Sequence, residues 1–121
     1  MGLDQFLMRK VEGEDDDFIE IYWRKCNQVH GFFDRICGGV ENCRDYPITI
    51  PQLLALKELC QEVLDNPGLA SEKLPIMRGF FFGCYEYDEF YFNQLKYTIE
   101  KIDEFLESCN ENAQYYYTTW W

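Results

Sequence analysis

The sequence predicts a single α+β domain in which a small antiparallel sheet packs against about three helices, in the order β-β-α-α-α-β. Three observations carry that expectation. Phe18 to Tyr22 near the start and the run at the end are rich in β-branched and aromatic residues, and Leu3 to Val11, ahead of a polar run, carries no helical start or stop signal. Between them, apolar residues recur at intervals of three and four, as the buried face of a helix requires. The length of 121 residues suits one core, so the domain is expected to span 1–121.

The elements follow in order. Leu3 to Val11 and Phe18-Ile19-Glu20-Ile21-Tyr22 read as the arms of an antiparallel hairpin across the polar run Glu12-Gly13-Glu14-Asp15-Asp16-Asp17. From Trp23 the period changes: Cys26, Val29, Phe33, Ile36 and Cys37 mark one face of a first helix, which Gly38-Gly39 stops. Gly31 inside it costs about 1 kcal/mol relative to Ala, which either weakens the helical reading or marks a close contact. Val40 to Pro47 is expected to be a loop. A second helix opens at Thr49 as N-cap with Pro51 in its first turn, and carries the stripe Leu53, Leu56, Cys60 and Val63, with Leu59 and Leu64 at its edge.

Asn66-Pro67-Gly68 ends that helix, and a helical turn is expected at Leu69 to Leu74. Gly79-Phe80-Phe81-Phe82-Gly83 reads as a short buried strand or rigid loop. The last helix starts near Tyr87 or Asp88 and repeats Phe92, Leu95, Ile99, Ile102 and Leu106. The run Tyr115-Tyr116-Tyr117-Thr118-Thr119-Trp120-Trp121 has high strand propensity, and free in water it would be an aggregation hazard. It is therefore expected to dock on the hairpin as a third strand.

Charge is the most unusual bulk property: 22 Asp plus Glu against 11 Lys plus Arg, a formal net charge of −11. That balance argues against direct binding to nucleic acid or to anionic membranes, and for a basic partner or simple solubility. No stretch approaches the roughly 20 apolar residues of a membrane span, and the start lacks the regions of a signal peptide, so a cytoplasmic protein with reduced thiols is expected. Phe6 in place of Ser or Thr breaks a myristoylation motif at Gly2.

Residues that carry chemistry are sparse. Cys26, Cys37, Cys43, Cys60, Cys84 and Cys109 contain no CxxC and share one histidine, His30, so neither a structural metal nor a nucleophilic cysteine is expected, and no cofactor. Helical spacing places Trp23, Asn27, His30 and Asp34 on one stripe, flanked by Arg24: a ring, an amide, an imidazole and a carboxylate that can hold a polar ligand. Tyr87, Asp88 and Tyr91 are candidates to complete a pocket between the first and last helices. A lone histidine on a polar face is more often solvated or hydrogen-bonded than functional. Asp15, Asp16 and Asp17, and Glu86, Asp88 and Glu89, are acidic clusters without calcium-loop spacing. They are candidates to meet a basic partner or to imitate phosphates, against a default of solvated charge.

Gly2-Leu3-Asp4, Tyr22-Trp23-Arg24-Lys25-x-Asn27-x-x-His30, Gly79-Phe80-Phe81-Phe82-Gly83, Tyr87-Asp88-Glu89-x-Tyr91 and the Tyr- and Trp-ended tail together resemble a family of small bacteriophage- and prophage-encoded proteins of unknown function. The resemblance implies a bacterial cytosol and a partner in host machinery, such as a CRISPR nuclease or restriction enzyme. The functional expectation is thus a non-enzymatic acidic inhibitor of a host protein with a basic surface, competing with nucleic acid. The alternatives are a small-molecule or nucleotide-signal binder using the Trp23/Asn27/His30 face, and a structural phage component that self-associates. The sequence leaves the oligomeric state open.

Overall fold

The computed structural model describes residues 2–78 and 86–121; the Gly79-to-Gly83 motif and Cys84 lie outside the described residues. Strand β1 (Asp4–Arg9) pairs antiparallel with β2 (Phe18–Arg24), forming the expected hairpin, with a bulge at Glu20 that shifts register between Leu7 and Met8. The terminal strand β4 (Tyr115–Trp120) pairs antiparallel with the other side of β1. The tail is therefore docked as expected, beside the central strand. The predicted loop Val40–Pro47 ends instead in a fourth strand, β3 (Tyr46–Ile48), which pairs with β4 and completes the order β2-β1-β4-β3. Pro47 hid it, because proline is tolerated only at a sheet edge, which is where β3 lies.

Inward-facing residues follow the strand period of two. Leu3, Gln5 and Leu7 on β1 and its approach, Ile21 and Trp23 on β2, and Tyr115, Tyr117 and Thr119 on β4 are all buried. The helices α1 (Asn27–Cys37), α2 (Ile50–Asp65) and α4 (Glu89–Ser108) contribute the rest of the core, with a 3-10 turn (Pro67–Leu69) and the short α3 (Ala70–Lys73) at the expected helical turn. Phe33 of α1 stacks on Tyr117 at 4.0 Å between centroids, and Phe105 of α4 meets the edge of Tyr115 at 4.9 Å. Both contacts lie on the same sheet face, so α1 and α4 cover it.

The first helix begins later than its periodicity predicts. Pairing of Asp4 with Arg24 and the bond from the Lys25 amide to the Leu3 carbonyl (2.6 Å) carry β2 through Trp23. Lys25 then turns the chain with φ 53° before α1 starts. Trp23 is thus a strand residue, and α1 buries every residue from Asn27 to Phe33 while Ile36 is exposed. Gly38, at φ 74°, ends the helix as the glycines predict. Gly31 does mark a close approach: an added Cβ would lie 3.4 Å from Met77 Cβ and 3.7 Å from the Pro75 carbonyl oxygen.

Helix α2 matches its sequence signals. Thr49 Oγ1 accepts from the Gln52 amide and the Gln52 side chain accepts from the Thr49 amide, a reciprocal cap, and Leu53, Leu56, Cys60 and Val63 are fully buried. Asp88 caps α4 by accepting from the Tyr91 amide at 3.1 Å. The buried stripe of α4 is rotated from the predicted one: Tyr91, Leu95, Thr98, Ile102 and Phe105 face inward, while Phe92, Ile99 and Leu106 are half-buried. The polar ends of Tyr91 and Thr98 disguise their burial. Tyr91 donates to the Leu74 carbonyl at 2.7 Å, and Thr98 Oγ1 accepts from the Trp23 indole at 3.0 Å.

Candidate functional site

The stripe predicted to hold a polar ligand is built into the core. Trp23, Asn27 and His30 of that stripe are 2%, 2% and 0% exposed and Asp34 is half-buried, while Tyr91 is 3% exposed, so a solute reaches the amide and imidazole only by displacing packed side chains. Gln5 organises this region. Its amide donates to the Cys26 carbonyl and its oxygen accepts from the Cys26 amide, tying β1 to the start of α1 where Cys26 offers no side-chain cap. The same amide nitrogen donates to the Tyr117 hydroxyl at 3.1 Å, and that hydroxyl lies 2.8 Å from His30 Nδ1. The Tyr117 hydroxyl thus ties the imidazole to Gln5 and, through it, to β1. Burial lowers the His30 pKa from 6.5 to about 4, against a weaker pull upward from the Asp34 carboxylate.

The remaining candidates of that set also hold the fold. Asp34 Oδ1 accepts from the Val40 amide at 2.8 Å and shapes the turn after α1. Tyr87 accepts from the Ile76 amide at 3.1 Å and Tyr91 donates to the Leu74 carbonyl, so these two fasten the 74–76 segment to α4, while Asp88 caps that helix. Arg24 is exposed at the end of β2, opposite Asp4. A shallow cleft of about 400 Å³ does lie between β2 and α4, but Trp23 and Arg24 alone of the eight candidates line it, together with Tyr22, Phe90, Gln94 and Tyr97.

The two acidic clusters stand apart. Asp15 and Asp16 are exposed in the β1–β2 turn, and Asp17 is half-buried beside Tyr116. Glu86 and Glu89 are exposed around the start of α4. The first turns of α4 contact Gln28 and Lys25 at the far end of β2, whereas Phe105, near the other end of α4, reaches Tyr115, the partner of Arg9 in the sheet. At about 3.3 Å per residue the length of β2 keeps the clusters some ~20 Å apart.

A larger concavity was not legible in the sequence. An open groove of about 910 Å³ runs between β3, the start of α2 and the approach to β4. Pro47, Ile48, Ile50, Pro51, Leu54 and Ala113 give it an apolar floor, Tyr115 and Tyr116 form one wall, and Lys10, Asp45 and Glu111 stand on its rim. Two carboxylates bear on Tyr116: its hydroxyl donates to Asp17, and Asp45 adds to the negative field there. Burial and these carboxylates push the Tyr116 hydroxyl well above its ordinary pKa of 10. The complementary effect appears at Asp17, where the Tyr116 hydroxyl and the Val11 amide hold the carboxyl below its usual value. The groove opens beside the β1–β2 turn, because the Lys10 amide donates to the Gln114 carbonyl at 2.9 Å and joins the turn to the approach to β4. Glu12, Glu14, Asp15 and Asp16 are exposed on that turn.

Ion pairs between described residues join Arg9 to Glu20, Arg44 to Glu41, Lys57 to Asp103 and Lys101 to Glu104. Even a one-to-one match of every cation would leave eleven carboxylates over. The thiols offer little nucleophilicity where burial can be weighed: it raises Cys26 far above its ordinary value and Cys60 to about 12, and it raises Cys37 as well. Among the described residues no group of three His, Cys, Asp or Glu side chains is placed to hold a metal ion, and no helix is long and apolar enough to cross a membrane. Comparison with known proteins gives no match to a family model, to a curated protein or to a solved structure.

Proposed function

We propose that the protein is a non-enzymatic interaction protein that uses its surplus negative charge to occupy the basic surface of a bacterial nucleic-acid-binding or defence protein. The observation that carries this reading is the gathering of carboxylates around one end of the sheet: Glu12, Glu14, Asp15 and Asp16 on the β1–β2 turn, Asp17 and Asp45 flanking Tyr116, and Glu111 on the groove rim. A field of one sign accelerates encounter with an oppositely charged partner, and a partner held through its phosphate-binding residues loses access to nucleic acid. The burial of Trp23 on β2 and of Asn27 and His30 on α1 counts against a small-molecule pocket there. The resemblance of its sequence motifs to those of small phage and prophage proteins supports a host bacterial cytosol as the setting.

The test is recovery of partners from bacterial lysate on a tagged copy of the full chain, at low and at high ionic strength. Basic nucleic-acid-binding proteins are expected at low salt and are expected to be depleted at high salt. Recovery of no basic protein at low salt would refute the proposal.

A further inference from the structure

We infer that the groove between β3, the start of α2 and the approach to β4 is the docking site for an extended segment of the partner protein, one that carries an apolar anchor side chain flanked by Lys or Arg. This rests on the proposal that the partner is basic, and adds where it binds and through what chemistry.

Two features of the groove select this occupant. Its floor is apolar, from Pro47 to Leu54 and Ala113, and Leu54 is 41% exposed on it, so surface remains to be covered. At about 910 Å³ it is near the upper end of the roughly 300–1,000 Å³ typical of ligand sites, which leaves room for more than one side chain. The charge around it is of one prevailing sign: Asp45 and Glu111 oppose Lys10 on the rim, and Asp17 adds its carboxylate behind Tyr116. The acidic field then continues past the groove onto the turn carrying Glu12, Glu14, Asp15 and Asp16. A compact solute in the groove would meet only the rim. A polypeptide that seats an apolar anchor on the floor and runs on toward the turn meets the whole field, with a central apolar contact and a charged surround.

The probe is a fluorescein-labelled octapeptide pool in which Lys or Arg alternates with Leu, Phe or Trp. Two control pools replace the cations by Glu, or the apolar residues by Ser. Affinity is read by fluorescence anisotropy at low salt, and the site by amide shifts of the full chain in two-dimensional NMR. The basic–apolar pool is expected to bind best and to shift Ile48, Ile50 and Ala113. Leu54→Gln, at an exposed position that leaves the core intact, is expected to weaken binding about tenfold by removing the apolar contact. Glu111→Lys is expected to weaken it and Lys10→Glu to tighten it, a pair of opposite signs that general unfolding cannot produce.

Equal binding of the control pools would overturn the assigned chemistry. Shifts confined to the far edge of the sheet, around Phe6 and Tyr22, with no effect of Leu54→Gln, would overturn the site. If the pools fail while a basic partner is still recovered from lysate at low salt, the groove assignment falls and the proposed function stands. If neither binds, both fall.

Discussion

Acidification from pH 7 to pH 4.5 is expected to strip the fold of most of the stability that His30 confers as a neutral buried base. Its imidazole is fully enclosed, hydrogen-bonds through Nδ1 with the Tyr117 hydroxyl, and meets the Trp121 ring edge-on at 5.4 Å between centroids. Within this enclosure the pKa falls from 6.5 to about 4. As pH drops below 6.5 the unfolded chain takes up the proton and the native chain does not, so stability is lost until the folded group titrates near 4 and is level below that. At about 1.4 kcal/mol for each pH unit, the full interval is worth roughly 3 kcal/mol. Urea unfolding of the wild type across this range, compared with His30→Gln, isolates the effect from the opposing relief of repulsion as carboxylates protonate. His30 is the only histidine in the chain, so its ring C–H resonance reports the native titration without assignment. A midpoint at or above 6.5, or identical pH slopes for the two proteins, would refute the role assigned to its burial.

Other outcomes follow from single contacts. Gln5→Leu is expected to cost about 2 kcal/mol in urea unfolding, because it leaves the buried Cys26 amide without its acceptor, takes one of the two donors from the Cys26 carbonyl, which keeps the His30 amide, and removes a donor from Tyr117; a cost below ~1 kcal/mol would contradict that account. Thr49→Ala removes one half of the reciprocal cap of α2 and should cost about 1 kcal/mol, readable as a lower thermal midpoint. Gly31→Ala is expected to stabilise the fold by about 0.5 kcal/mol: the new Cβ comes within 3.2 Å only of Arg35 Nη1, the mobile tip of an exposed side chain, while helix propensity improves. Destabilisation by that substitution would show that the segment at Pro75 and Met77 cannot yield.

The fold was largely legible where local signals and burial agree. Thr49 with Gln52, Gly38 after the first helix and the Leu53–Val63 stripe each state their role in residue type and spacing. The docking of Tyr115–Trp120 was legible because an aromatic run of that kind needs cover. Sequence reasoning failed where tertiary contacts decide. Trp23 fits a helical period, but the ladder to β1 claims it for a strand, and its indole is satisfied by Thr98, 75 residues away. Strand β3 exists only because Tyr115 to Tyr117 offer it an edge, which three residues with a central proline do not announce.

The candidate site divides in the same way. Net charge was readable from composition, and the acidic turn from its run. The polar stripe was not readable as core, since Asn27 and His30 look solvent-facing by residue type, and only the fold shows both buried, with His30 against Tyr117. The groove draws its residues from Lys10, the 45–54 stretch and the 111–116 stretch, segments that only the sheet order brings together, so no local pattern in the sequence announces it.

Quantitative mass spectrometry of bacterial proteins retained by the tagged wild type and by a variant with Glu12→Gln, Glu14→Gln, Asp15→Asn and Asp16→Asn tests the role of the gathered charge most directly. All four side chains are exposed, so the fold should be unaffected. At low ionic strength the wild type should enrich basic nucleic-acid-binding proteins and the neutralised variant should lose most of that enrichment. Retention of the same proteins in the same amounts by both would contradict the account.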